Sequence, residues 1–82
     1  MASLFVLDVD DFAPLWQEAK SDDSIQLGHR GPYVEVSFAH ELTVDRVATG
    51  LRHAVWYSAI GGISGAKVVQ YDKHQLKLVA EG

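Results

Sequence analysis

The segment Val44 to Ile60 constrains this chain most: it is the longest stretch with helical spacing, and it is apolar on more sides than one core requires. Wound as one helix at about 100° per residue, it lines up Val44, Val47, Ala48, Leu51, Val55 and Ser58 in the usual core-facing stripe. The opposite side carries Thr49, His53, Trp56 and Ile60, flanked by Arg46 and Tyr57. A solvated back would read Glu, Lys and Gln instead. The spacing therefore predicts Leu51 in the core and Trp56 and His53 on a surface covered by a second subunit or a ligand. Thr43 is the expected N-cap, Asp45 favours the positive end of the dipole, and Gly61-Gly62 stops the helix.

The flanking segments change period. Leu4 to Val9 is apolar on both alternating faces and reads as a central strand. Tyr33 to Phe38 alternates, with Val34, Val36 and Phe38 on one face and Tyr33, Glu35 and Ser37 on the other. Phe12, Leu15, Trp16 and Ala19 make a short helix with Asp11 as its expected cap and Pro14 in its first turn. Ser24 to Leu27 reads as a short strand, and Gly28 to Pro32 as a turn. Ala66 to Tyr71 and Gln75 to Ala80 read as two strands joined around Asp72-Lys73-His74. The expected architecture is a single α+β domain over residues 1–82. It is a ferredoxin-like sandwich (β-α-β-β-α-β) with an extra C-terminal strand and two helices on one face of an antiparallel sheet. The sheet's other face then stays open, showing Phe5, Leu7 and Val9 or else Leu4 and Val6, with Tyr33, Val69, Tyr71 and Val79 as candidates to join it.

Charge and composition narrow the function. The seven Lys and Arg residues are scattered and the net charge is −4, which disfavours a nucleic-acid partner. Without cysteine there is no disulfide, thiolate nucleophile or Cys-ligated zinc. No apolar run approaches membrane-spanning length and the first residues carry no signal pattern, so a cytoplasmic protein without a membrane partner is expected.

Phe5-Val6-Leu7-Asp8-Val9-Asp10 resembles the first motif of haloacid-dehalogenase-type phosphotransferases, an apolar strand ending in Asp-x-Asp. Phe12 stands where such enzymes place a small residue, and no second acidic cluster follows. The segment is read instead as a strand end and helix cap, with no magnesium site at Asp8 and Asp10. Gly61-Gly62-Ile63-Ser64-Gly65 follows a helix rather than preceding one, so it is expected to be a cap and turn, or a flap, rather than a phosphate loop. The histidines show no metal-ligand spacing, and no cofactor or metal is expected. His29 and His74 read as turn residues, and His40 ends a strand.

These observations favour a small homo-oligomeric accessory module. It would bind a partner protein or small organic ligand at an aromatic-lined surface made of Arg46, His53, Trp56, Tyr57 and Tyr71. The alternative is a small dimeric enzyme of isomerase, lyase or cofactor-free oxygenase type. There His53 or His40 would act as general base, and Arg46 or Arg52 would stabilise an anion.

Overall fold

The computed structural model describes residues 1–81 and contains two antiparallel sheets. The first is built from β1 (Ala2–Leu7), β2 (Gln26–Arg30), β3 (Tyr33–Phe38) and β5 (Ile60–Ser64), in the order β2-β3-β1-β5. A helix, α1 (Ala13–Ala19), connects β1 to β2, which flank β3 on either side. This is the split βαβ order that the succession of elements predicts. The second sheet has the order β4-β7-β6, with β4 (Glu41–Asp45), β6 (Ala66–Tyr71) and β7 (Gln75–Ala80). The fourth strand of the first sheet is β5 rather than the expected Ala66–Tyr71, which joins β4 and the expected extra strand, Gln75–Ala80, in the second sheet; the α+β class holds.

The alternation of β1 and β3 decides what is buried. Ala2, Leu4 and Val6 pair with Phe38, Val36 and Val34 on one face, and all six are buried. Leu15 and Ala19 of α1 pack against them, together with Leu42 and Val44 of β4 and Leu76 and Leu78 of β7. The core therefore lies between the inner faces of the two sheets, with α1 closing it.

The long helix is absent. Val44 belongs to β4, whose burial alternates strictly, with Leu42 and Val44 inward. Two short helices follow, α2 (Arg46–Thr49) and α3 (His53–Ser58). Gly50 separates them at φ +75°, a conformation that a side chain with a Cβ disfavours. Asp45, not Thr43, caps α2, its carboxylate accepting from the Val47 N–H at 3.0 Å. Gly61 and Gly62 do not end a helix or form a flap; they lie inside β5, where Gly62 pairs with Phe5 of β1 and Gly61 falls at a β-bulge. At the first helix, Asp11 sits in a 3-10 turn (Asp10–Phe12), and no side chain caps either that turn or α1. Residues 28–30, expected in a turn, extend β2, and the turn narrows to Gly31-Pro32.

Candidate functional site

Four of the five residues expected to form a binding surface do meet, but in a structural role. Trp56 is fully buried, which removes it from any solvent-facing surface. Its indole N–H donates to the Asp72 carbonyl at 2.7 Å, and the Tyr71 hydroxyl donates to the Trp56 carbonyl at 2.6 Å. The Trp56 and Tyr71 rings meet edge-on at 5.8 Å, and Tyr57 lies 5.3 Å from Tyr71. The Arg46 guanidinium donates through Nε to the Lys73 carbonyl and through Nη1 to the Leu51 carbonyl, while its backbone N–H donates to the His74 carbonyl. Three consecutive carbonyls of the β6–β7 turn are therefore held by α2 and α3.

The turn is also braced from within. The Asp72 carboxylate accepts from the Gln70 side chain and from the backbone N–H groups of Gln75 and His74. Those bonds, the Gln70 one foremost, hold its pKa below the ordinary 3.8. Burial, and then the neighbouring Tyr57, push the Tyr71 hydroxyl above its ordinary 10.0.

The candidate bases stand apart from this cluster. His53 is exposed at the start of α3. His40 is exposed on the rim of a cleft of about 460 Å³, also lined by Met1, Glu41, Val79 and Glu81. Arg52 is exposed as well. Asp8 of the Asp-x-Asp pair lies 3.3 Å from His29, and among the described residues no group of three or more His, Asp or Glu is arranged to hold a metal.

The outer face of the first sheet presents a different surface. Strand pairing arranges it in rows that cross the sheet. Ser64, Ser3, Ser37 and Gln26 form one row, and Gly62, Phe5, Glu35 and Gly28 the next. Leu7, Tyr33 and Arg30 form the third. A β-bulge brings Gly61 under the Tyr33 ring: a Cβ there would lie 2.6 Å from a ring carbon. Tyr33 thus reaches from β3 across β1 to the glycine of β5. Ser3 donates to Glu35 Oε2 at 2.6 Å, and Arg30 lies 3.5 Å from Oε1 of the same carboxylate. The result is a platform with an apolar end (Phe5, Leu7, Tyr33) and a hydroxyl end (Ser3, Ser37, Ser64). Of the residues expected on an open sheet face, Phe5, Leu7 and Tyr33 are there. Val69 is exposed at a bulge of β6, and Val79 lies on the otherwise polar outer face of the second sheet. Glu35 was not singled out in the sequence, although the alternation of Tyr33 to Phe38 already placed it beside Tyr33, and Gly28, Gly61 and Gly62 were read as turn and cap residues rather than as part of a sheet face.

No protein-family model matches this chain, and no curated protein matches it. Among solved structures, a chain in the phenol hydroxylase–regulatory protein complex superposes with a TM-score of 0.77. The match covers 95% of this chain and 95% of that one at 14% identity. At that identity the likeness shows the fold. No helix among the described residues is long and apolar enough to cross a membrane.

Proposed function

We propose that this chain is an accessory subunit that binds a larger enzyme, of the oxygenase kind, and modulates it. The observation that carries this reading is the end-to-end likeness to a chain of near-equal length from a hydroxylase–regulatory protein complex. A chain as short as this one matches the regulatory component of such a complex in size, not a hydroxylase. The site geometry supports the same reading. The outer face of the first sheet, with Phe5, Leu7 and Tyr33, suits contact with a protein surface, whereas His53 and His40 are exposed and make no side-chain hydrogen bond or ion pair among the described residues. Self-association loses one of its two expected supports, because Trp56 is in the core, and the remaining open face is assigned to the larger partner.

Co-expression with the proteins encoded beside it, followed by size exclusion with light scattering, tests the proposal. The expected result is one species of fixed stoichiometry that contains the 9.0 kDa chain and a larger protein. Elution of the chain on its own in every combination counts against it.

A further inference from the structure

We infer that the outer face of the first sheet receives an amphipathic helix of the partner, one carrying Lys or Arg beside its apolar stripe; this rests on the accessory reading and names the chemistry of the contact. Helix α1 and the second sheet cover the inner face, while the outer face carries Phe5 and Tyr33, both half-buried, and Leu7, exposed. A helix laid on this outer face would add a further layer of the ordinary kind. Gly28 and Gly62 add no side chain to the face at their positions.

Charge points the same way. Between residues 8 and 23 there are six acidic side chains, Asp8, Asp10, Asp11, Glu18, Asp22 and Asp23, against one base, Lys20. The remainder of the chain has five acids and six bases, so the negative charge of the protein resides in this segment. The segment leaves the apolar end of the platform directly after Leu7, and the Asp8 N–H is tied to the Pro32 carbonyl beside Tyr33. Asp8, Asp10 and Asp11 are exposed there, and Val9 between them is 40% exposed. Arg30 at this end is paired with Glu35, so on the Leu7 side the apolar patch is bordered by carboxylates, complementary to an apolar stripe bordered by cations. A second copy of this chain offers no such stripe, because its own cations are scattered and its acidic ends would meet.

Two synthetic peptides of about 18 residues, long enough to hold a helix, supply the probe. Both carry the same leucine stripe, one on a lysine background and one on a glutamate background. Each is titrated into the 15N-labelled protein and followed by amide chemical shifts. The lysine peptide is expected to shift Ser3 to Asp11, Tyr33 to Ser37 and Ile60 to Gly62, with affinity falling as salt rises, and the glutamate peptide to leave the spectrum unchanged. Asp10→Lys combined with Asp11→Lys should weaken the lysine peptide about tenfold or more, while Tyr57→Ala should not. Equal binding of both peptides, shifts centred on α3 and β6, or no shifts overturn the inference. If the co-expressed complex forms but the peptides fail, the accessory reading stands and this face is not its contact. If the peptides dock here but no complex forms, the accessory reading fails.

Discussion

Trp56 illustrates how one side chain can carry two contrary signals. On a helical wheel it falls opposite the core; in the folded chain it is fully buried, with its N–H satisfied by the Asp72 carbonyl. Trp56→Ala should cost about 3–5 kcal/mol, enough to unfold most of so small a domain, as read from a urea transition. Leu51, buried as its spacing indicates, is a core residue in both accounts. Tyr71 gives a pH-dependent check. Its hydroxyl pKa is raised in the folded state by burial first and by Tyr57 second, so the folded protein holds the proton longer than the unfolded chain does. The associated stability is fully present below pH 10.0, the ordinary value, and is lost as pH rises through the higher folded value. Tyr71→Phe removes the hydrogen bond to Trp56 and should cost about 1 kcal/mol near neutral pH. It should also flatten the decline in urea midpoint above pH 10.0. A variant that declines as steeply as the parent would show that Tyr71 does not set the alkaline limb.

At the scale of elements, the first helix and most strands were legible, whereas β4, β5 and the division into α2 and α3 were not. Tyr33–Phe38, Ala66–Tyr71 and Gln75–Ala80 occupy the residues their alternation and flanking turns indicate. The segment from Val44 to Ile60 misled because the end of β4, the helices α2 and α3 and the start of β5 are joined there without a proline. Leu42 and Val44 obey the period of a strand, while Val47, Leu51 and Val55 also satisfy the spacing of a helix. An apolar residue on every side of the wheel was the mark of a chain that changes direction, not of a helix with two buried faces. Gly50, inside the expected helix, was the one residue that could have given the break away. Gly50→Ala keeps the space but forces a Cβ into a left-handed conformation, at a cost of about 1–2 kcal/mol by thermal or urea denaturation. A neutral or stabilising effect would instead fit one continuous helix. The failed Asp11 cap has a local cause: the chain enters α1 through a 3-10 turn, so Asp11 lies inside the turn rather than ahead of it.

For the molecule as a whole, the candidate surface changed sides. Of the residues chosen for an aromatic-lined surface, Arg46, Trp56 and Tyr71 fasten a hairpin turn to the short helices with their hydrogen bonds, and Tyr57 packs beside Tyr71. The open sheet face was foreseen as a possibility, with Phe5, Leu7 and Tyr33 named for it. Its row pattern was not, because rows depend on strand order and register, which a linear sequence does not display. The central claim is that this face carries the chain's work by docking a larger protein. Calorimetric titration of that protein with two lysine variants, each first shown to be folded by circular dichroism, tests it most directly. Leu7 lies 37% exposed on the outer sheet face and Tyr57 49% exposed on α3, so both substitutions place a charge where water already reaches. Leu7→Lys should weaken binding at least about tenfold and Tyr57→Lys should leave it unchanged; the reverse pattern would contradict the account.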